Sequence, residues 1–435
     1  MPGLLTVNTR HDLRVPRILS VRPMRLSVIH LVFVGALLVP ATGKSGDPGA
    51  AGERAEFLRV VVAAPALSAA AQRAGAARER IESAGRLADP EVEGMTSRMN
   101  GPMGERASMY ELNVRQPLPK RGERAADRDR ARAGVAMAEA DYASMAGELA
   151  ADTAMALAEA DGAAARIRLL ETQLGRLDVI LRSVEARLAT GGRLADRLTV
   201  QTRAAEMQMM IAEERDMAAD ALAAARGRLG LPPESPLPAY VAPAAAEVIA
   251  AEAAPSRLAT ARADEALAMA NLARATAKPG TAVGLRIERA RTGMGDEDTV
   301  GLAFMSEIPW RSRRYARAEV RAAEAERSAA QADRSAAEFR ISAAVARVER
   351  AERLADTARR LSAGTVGRLT AEYDALIRSA GVPGAGESTV LQTVALLEKS
   401  TDTEKQVIQA ELAVRAARAE LWRYLPTERF LNPNH

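Results

Sequence analysis

Two periodicities divide the chain. From about Lys120 to Thr190 no proline interrupts a helical pattern, and Leu170, Leu174, Leu177, Leu181, Val184 and Leu188 recur at alternating spacings of three and four, the seam of a coiled coil. A second long stretch repeats this with Ile341, Val345 and Val348, then Val366, Leu369, Tyr373 and Leu376. The first predicted helix is ~105 Å long at 1.5 Å per residue, well beyond an ordinary globular element. Its return partner, about Leu194 to Leu229, covers only half of it. A shorter helix opening at Pro65, or at Pro255 in the second stretch, fills the other half, so each long helix is expected to pair with two short ones.

Between the helices the period changes to two. Tyr110, Leu112 and Val114 alternate with Met109, Glu111 and Asn113. Val283, Leu285 and Ile287 form a second such run, and Val300, Leu302, Phe304 and Ile308 a third; Glu91 to Met99 alternates poorly but occupies the equivalent place. Apolar-out, polar-in strands of about nine residues suit a membrane barrel. Four strands cannot close one, so a barrel needs several copies in a ring.

The landmarks occur twice, about 190 residues apart. Pro65 answers to Pro255, Pro119 to Pro309, Gly191 to Gly381 and Leu229 to Leu421, in one order. A single duplication of this length predicts two tandem structural repeats. The boundaries are then a leader over 1–43, a linker over 44–59, a first repeat over 60–240, a linker over 241–254, a second repeat over 255–426 and a tail over 427–435.

Composition narrows the chemistry. The chain is 48% hydrophobic but 3% aromatic, so its interior must be built from alanine and aliphatic side chains. It has no cysteine, and of its three histidines His11 and His30 lie near the start and His435 at the end. Thiol chemistry, disulfides, lipidation of an N-terminal cysteine and any histidine-based site in the body are excluded, and no catalytic, cofactor or metal-binding residue is assigned. The net charge of +4 resides in the leader, where Arg10, Arg14, Arg17, Arg22 and Arg25 face Asp12 alone; the remainder is neutral with alternating signs, which argues against nucleic acid. Arg22 and Arg25 precede the apolar run Leu26 to Val39 and then Pro40-Ala41-Thr42-Gly43, the anatomy of a signal peptide cleaved after Gly43. Met95, Met99, Met103 and Met109 form a thioether group that could suit a soft cation; packing in place of absent aromatics is the simpler reading. Met207, Met209, Met210 and Met217 are expected to pack.

The duplicated order, with RQPLPKRGER (its Gln116 to Arg124 core), RLATGG (Arg187 to Gly192), GRLGLPP and AELWRYLP, resembles the TolC-like outer membrane efflux proteins from about Val60 to Pro426. The LADPEVEG and RQPLPKRGER stretches resemble most the branch that exports heavy metals. The resemblance implies a mainly α fold of long coiled-coil hairpins forming an α-barrel, with four strands per chain contributed to a small β-barrel. It implies a homotrimer in the outer membrane and its lipid, with a large periplasmic part. The partners would be a periplasmic adaptor and an inner-membrane pump of RND type, and the role a passive conduit for small molecules or metal ions without enzymatic activity. The tip turns would fall at Gly191-Gly192 and Gly381. Where well-known members carry two aspartates after the second turn, this chain has Gln392 and Ala395, leaving Asp196, Arg197 and Glu387 as candidates for the constriction. The alternative is a periplasmic adaptor, which places one helical hairpin between β-rich halves; two hairpins a repeat apart argue against it. The alternating strands weigh against a free coiled coil.

Overall fold

The computed structural model describes residues 48–100, 106–189, 191–292, 295–380 and 388–432. The leader, Gly381, Glu387 and Met103 lie outside the described residues. Helices α1 (Pro48–Val62) and α2 (Pro65–Ser83) precede strands β1 (Glu91–Asn100) and β2 (Arg106–Leu118), then helices α3 (Glu123–Leu188) and α4 (Leu194–Leu229). The order recurs as α5 (Ala254–Thr276), β3 (Gly280–Thr292), β4 (Gly295–Glu307), α6 (Ser312–Ala380) and α7 (Ser388–Glu420), closed by α8 (Thr427–Leu431). The 66 residues of α3 span ~99 Å.

Each long helix has the two short partners that its length requires. Near the strands α2 and α5 flank α3, and α5 also packs on α6; farther away α4 and α7 flank α3, and α7 also packs on α6. Ion pairs mark these neighbours: Arg78 to Glu139 across α2 and α3, Arg166 to Glu214 across α3 and α4, Arg415 to Asp161 across α7 and α3, and Arg359 to Glu411 across α6 and α7. The lateral order is therefore α2, α3, α5, α6 near the strands and α4, α3, α7, α6 beyond.

Alanine makes the close approach possible. Ala126, Ala133, Ala140, Gly147 and Ala154 are buried at strict sevens along α3, and Ala316, Ala323, Ala330, Ala337 and Ala344 repeat this on α6, 190 residues later. A seven-residue spacing keeps one narrow stripe on the partner, and small side chains let backbones approach. Gly147 is the extreme case, since a Cβ there would lie 2.8 Å from the Trp422 carbonyl oxygen. Helix α5 is lined with small residues on two faces, as its place between α3 and α6 requires; α2 buries a single stripe, Leu67, Ala70, Ala74 and Ala77.

The large side chains gather at mid-height of α3. Phe57, Leu58, Val61, Trp422, Leu425 and Phe430 pack there around Tyr142 and the alanines of α3. The segments read as an N-terminal linker and a C-terminal tail thus contribute to the core. The expected linker 44–59 holds most of α1, with Phe57 buried, and the expected tail 427–435 holds α8, with Phe430 buried. The aromatic residues anchor these short pieces where periodicity has too few turns to reveal them. The segment 241–254 is likewise tied in, its Val241 carbonyl accepting from Trp422 Nε1 at 3.0 Å.

Tyr240 lies beside this core, its hydroxyl donating to the Arg415 carbonyl at 2.8 Å. Burial pushes its phenol up to about 12. The unfolded phenol loses its proton near pH 10 while the folded one keeps it, so this contribution to stability is full below pH 10 and is lost as pH rises through 12. Alkaline unfolding followed by circular dichroism should steepen over that window, and Tyr240→Phe should flatten it.

Candidate functional site: the strand band and the helical tip

The four strands form one antiparallel sheet in the order β1-β2-β3-β4. Its register sorts the side chains. Val92, Val114, Leu285 and Leu302 lie in one cross-strand row and Gly94, Leu112, Ile287 and Val300 in the next, all on one face with Tyr110, Val283 and Phe304. This face is bare: Leu302 is 92% and Phe304 72% exposed. Beyond the last strand, Ile308, Trp310 and Tyr315 are exposed as well. Even β1, with its poor alternation, joins through a full ladder and the Arg115 to Glu91 pair. An apolar band of this kind with no protein cover has the chemistry of a lipid-facing surface.

The other face is polar. It carries Glu91, Glu93, Glu111, Glu288, Glu297 and Glu307 against Arg115 and Arg286. Arg286 pairs with Glu111, whose side chain is 11% exposed, and with Glu288. Met95, Met99 and Met109 share this face rather than filling a core; the two on β1 are exposed. Where sheet meets helices, a cavity of about 760 Å³ is lined by Lys120, Glu123, Arg124, Asp127, Arg115 and Glu307, with Lys120 3.1 Å from Glu307. The periodicity found the apolar face; the acidity of its back emerges only once strands are paired.

At the opposite end the hairpin α3–α4 reverses at Gly191-Gly192. The Gly192 amide donates to the Arg187 carbonyl at 2.8 Å and that of Gly191 to Leu188 at 3.4 Å, with Gly191 at φ +100°. This is a Schellman ending, which needs a residue free to adopt positive φ. Asp196 stands half-exposed in the first turn of α4, and Arg197 bridges back to Glu185 of α3 at 3.4 Å. Val390, Val394 and Leu397 of α7 pack with Leu177, Ile180 and Val184 of α3 and Val200 and Met207 of α4, while Arg203 of α4 meets Glu398 of α7 at 2.9 Å. Both hairpins therefore end side by side, and Gln392 is exposed next to that cluster. Of the second methionine group Met207 is buried and Met210 packs against the tip cluster, while Met209 and Met217 are exposed in the protomer. Among the described residues no group of histidines and carboxylates could hold a metal ion, and no single helix is long and apolar enough to cross a membrane.

Residues 60–230 match the family described as outer membrane efflux protein. No curated relative matches the chain significantly by sequence. Among solved structures, the outer membrane protein VceC from Vibrio cholerae superposes with a TM-score of 0.70 at 15% identity, over 86% of this chain and 97% of that one. CusC superposes at 0.67 with 17% identity, over 86% and 92%, and the CmeC outer membrane channel of Campylobacter jejuni at 0.60 with 11% identity, over 93% and 95%. The first repeat carries the match to the efflux family, and the chain has the fold of these TolC-like outer membrane channels. Such proteins are passive channels of tripartite efflux systems, not enzymes, and they work as trimers with an adaptor and an inner-membrane pump. The bare strand band is the surface of this fold that suits the outer membrane. An arginine at Leu302 should then cost ~2–4 kcal/mol if it meets the bilayer midplane; denaturant titration of protein inserted in vesicles, compared with Leu302→Ala, measures it.

Proposed function

We propose that three copies of this chain close into one conduit that carries small molecules or metal ions from an adaptor and an RND-type pump across the outer membrane. One observation supports closure above others: α5 lies between the long helices α6 and α3, whereas its repeat equivalent α2 has α3 as its one long partner. Likewise α7 has two long partners and α4 mainly one, and β3 has two neighbours while β1 has one. A ring in which α2, α4 and β1 meet α6 and β4 of the next copy gives each repeat the same surroundings. That equivalence supports reading the chain as two tandem repeats, over 60–240 and 255–426.

The tip is the proposed constriction and adaptor contact. Gly191 and Gly192 turn the first hairpin there, Gly381 is the proposed turn of the second, and Gln392 replaces a carboxylate at the position that closes related tunnels. Arg197 is engaged within its own hairpin, which leaves Asp196 and Glu387 as the acidic residues to narrow the opening. In planar bilayers, Asp196→Ala combined with Glu387→Ala should raise single-channel conductance and admit large antibiotics. Unchanged conductance with a normal trimer yield would remove both residues from the constriction, and a protein that neither inserts nor conducts would overturn the conduit.

A further inference from the structure

The outward sheet face does not end with its apolar band. Beyond the row Gly94, Leu112, Ile287 and Val300, the register places Thr96, Tyr110, Arg289 and Asp298, then Arg98, Ser108, Arg291 and Asp296, toward the strand turns and away from the helices. These rows lie ~7 and ~13 Å past the last apolar one. Arg98, Arg289 and Arg291 are exposed. Arg98 and Arg291 flank Ser108 from its two neighbouring strands, so their Cα atoms are ~10 Å apart, and Arg289 is two residues from Arg291. Three guanidinium side chains with this spacing can converge on one headgroup.

Their partners leave capacity. Arg291 uses Nε on Asp296 at 3.3 Å, and Arg289 uses Nη2 on Asp296 at 3.2 Å and Nε on Asp298 at 3.5 Å. Both terminal amino groups of Arg291 and one of Arg289 remain to donate. Arg98 has no ion pair among the described residues. Asp296 and Asp298 thus hold two guanidiniums in place without neutralising the patch, since three cations face two carboxylates. Tyr110, half-exposed at the edge of the band, provides an amphipathic ring at the level where acyl chains give way to headgroups.

We propose that Arg98, Arg289 and Arg291 bind the phosphate groups of a phosphorylated glycolipid in the outer leaflet. This rests on the reading of the sheet as membrane-inserted. The patch is continuous with the lipid-facing band, lies at headgroup height, and presents planar forks that match phosphate oxygens bidentately. Such a clamp would order an annular lipid.

Native mass spectrometry of the full chain in mild detergent tests it, with bis-phosphorylated lipid A and its dephosphorylated counterpart as probes. The wild type should retain the phosphorylated lipid about tenfold better, the size expected for one net charge-assisted hydrogen bond. Arg98→Gln with Arg289→Gln and Arg291→Gln should abolish that preference while leaving bilayer conductance unchanged. Asp296→Asn with Asp298→Asn should strengthen retention, a gain that misfolding cannot produce. Equal retention of both lipids by the wild type, or an undiminished preference in the triple variant, would overturn the proposal. Displacement by millimolar inorganic phosphate would reassign the arginines to free anions. Loss of insertion by the wild type would remove the membrane reading itself, and conductance reports that separately.

Discussion

Trp422→Ala is expected to destabilise the chain by ~3–5 kcal/mol, the range for emptying a fully buried large aromatic site. Trp422 has no exposed surface, its ring centroid is 5.1 Å from that of Phe57, and its indole N–H holds the Val241 carbonyl. The cavity would open where α1, α3, α8 and the 241–254 connection meet, and alanine neighbours cannot extend into it. Collapse is also resisted because the α3 backbone at Gly147 already touches the Trp422 main chain. Trp422→Phe should recover most of the loss and leave ~1 kcal/mol for the missing hydrogen bond. Thermal unfolding of the purified protein, followed by helical circular dichroism, measures both. If Trp422→Ala melts like wild type, this cluster does not anchor the two repeats.

A larger effect on assembly is expected from Phe339→Asp, Leu354→Asp and Leu361→Asp together, which should convert trimers into monomers. These three residues recur along α6 and are largely exposed in the protomer, Phe339 at 77%. Among the described residues helix α6 has α5 and α7 on one side and no further long helix on the other, and exposed Met209 and Met217 lie on α4, the opposite flank of the protomer. Burying such side chains against a second copy contributes about 1.5–3 kcal/mol apiece, whereas aspartate in that seam would leave unpaired buried charge. Because the positions are exposed in the protomer, helical content should persist while light scattering in mild detergent reports the monomer. Trimers surviving the triple substitution would assign Phe339, Leu354 and Leu361 to a surface outside the seam.

The acidic sheet face adds an electrostatic expectation to the same assembly. Carboxylates outnumber arginines on it, and a closed barrel would bring three such faces together around one lumen. A lumen of this sign favours entry of cations over anions.

The sequence by itself determined the elements and their pairing by length. A seam at threes and fours can bury only as a helix, alternation at twos only as a strand, and a 36-residue return helix covers about half of a 66-residue one. The return helix falls at Leu194–Leu229 as read, and Gly191 turns where a left-handed residue was needed. What escaped was whatever depends on register or on distant neighbours. The alanine sevens of α3 and α6 are faint in hydrophobicity, because alanine is common on all faces, and become a stripe only when helices approach. The core roles of α1 and α8 rest on Phe57 meeting Trp422 and on Phe430 lying against Gly147 of α3, contacts between residues hundreds of positions apart. The acidic back of the sheet and its outward arginine row required strand pairing, since one residue of slippage would exchange the two faces. Periodicity identifies which side of an element must be buried; only the tertiary structure decides what lies against it.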